Sequence, residues 1–201
     1  SGDTQVLVGT QMVAKGLDFP AVRLVGIINA DASLRLPDFR SAERTFNLLV
    51  QVSGRAGRAL PDGRVIVQTY LPDQYAIRFA VEGRIEEFYK REINLRRQLG
   101  FPPYTRLIRV VFRSRSQQNA ILAANTFVEG LERQRVDQTV GEILGPAQCA
   151  IERIAGNYRF HLLLRHSRLG PIHQWVKQTR SEFKIPAGVY VEVDIDPVSV
   201  M

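Results

Sequence analysis

The chain has 201 residues, 45% of them apolar, with one cysteine and a formal charge of +7 from 27 basic and 20 acidic side chains. That is enough to bury one large or two small cores, and a pI near 10 suits an anionic partner such as nucleic acid. The lone Cys149 excludes an internal disulfide and a multi-cysteine zinc site, and no apolar run approaches the roughly 18 residues of a membrane span.

No basic-then-apolar signal segment opens the chain, so the expectation is a soluble protein of a reducing, cytoplasmic compartment. Ser1-Gly2-Asp3 leads almost at once into an apolar run, as expected of a chain that begins inside a domain. The net charge rises along the sequence, from +1 over 1–73 to +2 over 74–104 and +4 over 105–201.

Val6–Gly9 reads as a buried strand and Leu24–Ala30 as a second one. Arg44–Ser53 has helical spacing, with Phe46, Leu49, Val50 and Val52 on or near one face. Val65–Tyr70 is a third strand, entered through the turn Pro61-Asp62-Gly63. Continuous apolar strands around a helix indicate a parallel sheet, so 1–73 reads as part of an α/β domain. Residues 74–104 read as a helical connector, with favourable pairs such as Glu86 to Lys90 and a stop at Gly100 and Pro102-Pro103. Residues 105–201 follow the order β-α-β-β-α-β: Leu107–Phe112, a helix capped by Ser116, Ile143-Leu144 with the Ala150–Ile154 stretch, a turn at Gly156-Asn157, Phe160–Leu164, a helix over Leu169–Phe183 and alternating Val189–Ile195. That order predicts a small ferredoxin-like α+β domain.

Two segments carry candidate chemistry. Gln51-Val52-Ser53-Gly54-Arg55-Ala56-Gly57-Arg58 closes the amphipathic helix. Arg55 and Arg58, three apart on a helical turn, project to one side and offer planar forks suited to phosphate oxygens, as an arginine finger requires. A surface Gly/Arg turn fits the same residues. Gly9-Thr10-Gln11-Met12-Val13-Ala14-Lys15-Gly16-Leu17-Asp18-Phe19 directly follows a strand, where α/β sheets place their ligands. An ordinary βα loop fits that segment too. Further on, Arg153, Arg159, Arg165 and Arg168 gather around the predicted hairpin, near Tyr158 and Phe160. Basic and aromatic side chains on a sheet can hold a single strand by phosphate contact and base stacking; a solvated basic hairpin is the alternative.

Gly-Thr-Gln-Met-x-x-Lys-Gly-x-Asp-Phe followed by Gln-x-x-Gly-Arg-x-Gly-Arg resembles motifs V and VI of superfamily 2 helicases. Ala30-Asp31, Leu36-Pro37-Asp38-Phe39-Arg40-Ser41-Ala42-Glu43-Arg44, Leu99–Tyr104 and Val193–Pro197 narrow the resemblance to the primosomal replication-restart helicases. The resemblance implies a RecA-like lobe and an ATP-dependent 3′→5′ DNA helicase that binds stalled or branched forks and reloads the replication machinery. By motif position Gln51, Arg55 and Arg58 would sense nucleotide, with both arginines facing the γ-phosphate. Gly16 and Asp18 would lie near the ribose or hold those arginines, and Thr10 and Lys15 would lie nearer the DNA backbone. The implied partners are branched and single-stranded DNA, the single-stranded DNA-binding protein and other primosome proteins, with the protein a monomer at the bacterial nucleoid.

The sequence departs from the family pattern in three ways. It has no Gly-x-x-x-x-Gly-Lys-Ser/Thr phosphate loop, no Asp-Glu pair for Mg²⁺, and none of the family's eight zinc-binding cysteines. The chain is therefore expected to supply half of an ATP and Mg²⁺ site and to be inactive as an ATPase by itself. A non-catalytic DNA- or protein-binding scaffold and another superfamily 2 translocase are the alternative readings.

Overall fold

The computed structural model describes residues 5–10, 22–56, 63–135 and 141–201. They form two compact units: one from the described residues up to Leu36 together with Arg40–Ile93, the other from Pro37–Phe39 together with Asn94–Met201.

In the first unit β1 (Leu24–Ile27) and β2 (Arg64–Val67) pair in parallel, Leu24 opposite Arg64 and Ile27 opposite Val67. Both strands stop short of their apolar runs, because the ladder closes with Gln68 N donating to Ile27 O and Ala30 N donating to Gln68 O. The expected strand at Val6–Gly9 does not form. Val6, Leu7 and Val8 are 77%, 54% and 88% exposed, and no neighbouring strand among the described residues offers them a ladder.

Helix α1 (Ser41–Ala56) starts three residues before the expected Arg44, and at its first turn Ser41 Oγ donates to Leu36 O and Thr45 Oγ1 donates to Ser41 O. Phe46 and Leu49 of its buried face pack with residues of α2 (Tyr75–Val81) and with Phe88 of α3 (Ile85–Leu99), and Val52 is buried as well. Phe46 and Phe88 stack with centroids 3.8 Å apart and planes 1° from parallel. Between α2 and α3 the chain turns at Gly83, φ +69°, where Arg84 N donates back to Phe79 O; this glycine C-cap divides the expected helical connector in two.

The second unit is a four-stranded antiparallel sheet, β4-β5-β3-β6, built from β3 (Arg106–Ser114), β4 (Glu142–Ile154), β5 (Asn157–His166) and β6 (Val189–Ile195). Helices α4 (Gln117–Arg133) and α5 (Leu169–Glu182) follow β3 and β5, which is the expected ferredoxin-like order. Ser116 caps α4, its Oγ accepting from Asn119 N. Strand alternation sends Ile108, Val110 and Phe112 of β3 and Phe160, Leu162 and Leu164 of β5 to the helix side. There they pack on Ala120, Ala124, Phe127, Leu131, Ile172 and Trp175, whose indole donates to Leu131 O at 2.9 Å.

Replacing Phe46 by Ala removes a fully buried ring from the first unit and is expected to cost it about 3–5 kcal/mol. Urea unfolding reads the loss. Hydrogen exchange should speed up in α1, α2 and α3 and stay unchanged in β3 and β5.

Candidate nucleotide and nucleic-acid residues

Gln51 lies on the exposed side of α1, away from Phe46 and Leu49, and the backbone of Arg55 stands one helical turn beyond it. Arg58, Lys15, Gly16 and Asp18 lie outside the described residues. Thr10 is exposed, at the end of the first described segment.

Asp31 is a residue whose role sequence reasoning missed. It follows β1 and is fully buried, where it accepts from Thr69 Oγ1 at 2.8 Å and from Tyr70 N at 3.0 Å. The Tyr70 amide, then the Thr69 hydroxyl and Arg35, hold its carboxyl below the usual range against the opposing effect of burial. Asp31 thereby fastens the carboxyl end of β1 to that of β2, the edge of a parallel sheet where ligand loops begin. An aspartate closing an apolar strand was the available signal.

The four C-terminal arginines do not converge. Arg153 and Arg159 stand at the tip of the β4–β5 hairpin, where Arg153 pairs with Tyr158. Arg165 pairs with Glu142 at the other end of β5, about 23 Å away at 3.3 Å per residue. Its guanidinium bonds the Glu142 carboxylate and donates to Gly100 O at 3.0 Å, so it is committed to internal contacts. Arg168 is exposed at the N-cap of α5, at that same distant end. The sequence pattern missed Arg115, which is exposed just beyond β3, whose Ser114 pairs with Tyr158.

The stacking expectation fails at Phe160. Phe160 is 7% exposed and belongs to the core under the helices, because its strand position faces inward. Arg153 already covers Tyr158, 5.0 Å from its ring centroid.

On the helix-free side of the sheet, Arg109 is 6% exposed in the middle of β3. Its Nε donates to His161 Nδ1 at 3.1 Å, and Nη2 lies 3.5 Å from the Sγ of buried Cys149. Burial, then Arg109 and Arg159, push the His161 imidazole down to about 4, so it is neutral at pH 7. With Nδ1 accepting from a guanidinium, the ring proton belongs on Nε2.

The fold and these residues define a class: the end of a RecA-like helicase lobe followed by a ferredoxin-like domain. Residues 1–60 match the family described as "Helicase conserved C-terminal domain". Residues 97–198 match "Primosomal protein N C-terminal domain", and the chain belongs to that family. It is 47% identical over its whole length to the "Replication restart protein PriA" of Treponema pallidum, covering 30% of that protein. Proteins of the same name from Bacillus subtilis and Synechocystis are 38% and 40% identical over 100% and 99% of this chain, which covers 25% and 24% of them. The chain thus spans less than a third of the length of these relatives.

The lowered His161 value fixes the sign of a pH effect. The unfolded imidazole binds a proton near 6.5 and the folded one only near 4, so stability is full above that window and falls as the pH drops through it. Histidine NMR of the folded chain should show one ring titrating near 4. Replacing His161 by Gln should flatten the unfolding free energy between pH 6.5 and 4.

Proposed function

We propose that this chain is the C-terminal part of an ATP-dependent 3′→5′ DNA helicase that recognises stalled or branched forks and restarts replication by primosome assembly. The observation that carries this reading is the succession in one chain of a helicase C-terminal match over 1–60 and a primosomal match over 97–198. The proposed division is a lobe end over 1–73, a helical connector over 74–104 and a DNA- and partner-binding domain over 105–201.

In this reading ATP and Mg²⁺ bind between this lobe and a first lobe that carries the phosphate loop. Gln51, Arg55 and Arg58 act from this side, the two guanidinium groups stabilising charge that develops on the transferring γ-phosphate. Exposed Gln51 and the position of Arg55 one turn further along α1 support that assignment. Gly16 and Asp18 serve the ribose or hold the arginines; Thr10 and Lys15 contact the DNA backbone. The zinc that the family resemblance implies would be held outside this chain, and among the described residues no His, Cys, Asp and Glu cluster could hold a metal. The chain acts at the nucleoid in the cytoplasm, alongside the single-stranded DNA-binding protein. No helix among the described residues is long and apolar enough to cross a membrane.

In the C-terminal domain the hairpin tip is the DNA contact that the geometry supports best. Arg153 uses one donor on Gly156 O at 3.3 Å and Arg159 one on Ile151 O at 3.4 Å, which leaves most of each fork for phosphate oxygens. Fluorescence anisotropy with a forked DNA across a salt series tests this. Changing Arg153 and Arg159 to Ala should weaken binding and lower the log–log salt slope by about 1 for each arginine removed. Arg165→Ala and Arg168→Ala should leave that slope unchanged. A slope insensitive to Arg153 and Arg159 would move the DNA contact off the hairpin.

A further inference from the structure

We propose that the tip of the β4–β5 hairpin is an apolar wedge that enters the minor groove of duplex DNA beside a junction, with Ile151 and Ile154 as the side chains that press into a base step. The proposal rests on the reading of the hairpin as a DNA contact and names its mode.

All seven residues from Ala150 to Gly156 are exposed. Among them Ile151 and Ile154 are 50% and 47% exposed although both are β-branched and apolar. The tip is held rather than loose. Ala155 and Gly156 form a two-residue turn with φ of +48° and +82°, the mirror-image turn that matches strand twist. Arg153 Nε donates to Gly156 O, Asn157 Nδ2 donates to Ala155 O, and the Arg153 guanidinium lies on the Tyr158 ring.

Below the turn, β4 carries four residues, Cys149–Glu152, between its pairs Gln148–Phe160 and Arg153–Tyr158, where β5 has only Arg159. This bulge is pinned inward by Cys149, which is buried against Arg109, and outward by Arg159 bonding Ile151 O. The pinning turns Ile151 out to solvent. A wedge needs such support, because a flexible tip would lose in ordering entropy what insertion gains.

Charge selects the occupant. Arg153 and Arg159 flank the two isoleucines, and exposed Arg115 stands at the same end of the sheet, where Glu152 is the one acidic residue of the tip. The surroundings therefore favour a polyanion. Its form follows from what the tip lacks. Within the hairpin itself Phe160 is buried and the Arg153 guanidinium lies on the half-buried Tyr158 ring, so the tip presents isoleucine rather than aromatic surface, which disfavours stacking of unpaired bases there. Branched aliphatic side chains framed by arginines are what minor-groove proteins insert between base pairs.

The test uses the intact chain and a three-way forked DNA carrying 2-aminopurine at TA steps beside the junction, where unstacking costs least. Binding is read by anisotropy across salt and unstacking by 2-aminopurine emission. The parent chain should raise the emission on binding. A double variant, Ile151→Ser with Ile154→Ser, should bind with an unchanged salt slope and lose the rise. Ile151→Met with Ile154→Met should keep it. Both positions are exposed, so circular dichroism should show the same fold for all three proteins. An equal rise from the serine variant, or tight binding by the parent with no rise, would overturn the wedge and leave the arginine contacts standing. Preference for unpaired over duplex DNA would overturn it too. Failure of the parent to bind at all would remove both readings.

Discussion

The second unit depends on the burial of β3 on both faces. As an inner strand it sends Ile108, Val110 and Phe112 under the helices, while Leu107, Arg109 and Val111 point to the opposite side and are nearly as inaccessible. A guanidinium in that position has to find acceptors nearby, and it finds the neutral imidazole of His161 and the thiol of Cys149. His161 stays neutral because burial and two cationic neighbours oppose its protonation. Cys149 meets Arg109 at the start of the β4 bulge, and the residues that follow it in the bulge are exposed. One inner-strand arginine is thus connected, contact by contact, to the shape of the hairpin tip.

The basic side chains of this unit divide between structural and available roles. Arg165 bonds a carboxylate and backbone carbonyls, and Arg106 bonds Asp196, so their forks are largely occupied within the protein. Arg153 and Arg159 each give one donor to a tip carbonyl, which orients the guanidinium without saturating it. A positive total therefore says little about where an anion binds; the hydrogen-bond partners of each arginine say more. The same unit explains why distant sequence signals travel together. Asp38 accepts from Ser199 Oγ and Val200 N, and Phe39 stacks on Phe101 at 5.3 Å, so Pro37–Phe39, the Phe101-Pro102-Pro103 stretch and the C-terminal residues form one packed cluster.

In the first unit the aromatic stack of Phe46 on Phe88 holds α1 against α3, and the Asp31 carboxylate ties the ends of the two parallel strands. The stack presents α1 so that its polar side, including Gln51, faces solvent. The nucleotide-sensing assignment needs that side free, since the γ-phosphate has to be approached from outside this lobe's core.

Much of this was readable in the sequence. Period-2 alternation in Val189–Ile195, helical spacing after Ser116 and the helix stop at Gly100 depend on local geometry, so the β-α-β-β-α-β order follows from residues near one another in the chain. The Gly-Thr-Gln-Met and Gln-x-x-Gly-Arg-x-Gly-Arg runs carried the family for the same reason, since motif chemistry sits in short contiguous stretches. Other features were decided only in three dimensions. The strand expected at Val6–Gly9 depends on a neighbour that apolar residues alone do not provide. Which arginines are free depends on partners far away in the chain, 66 positions for Arg165 and Leu99 and 90 for Arg106 and Asp196. The turn lies at Ala155-Gly156, one residue before the position that Gly156-Asn157 suggested, because strand register, not turn composition, sets where the hairpin closes. Local periodicity names the elements, but the occupancy of a charged side chain is a property of everything packed around it.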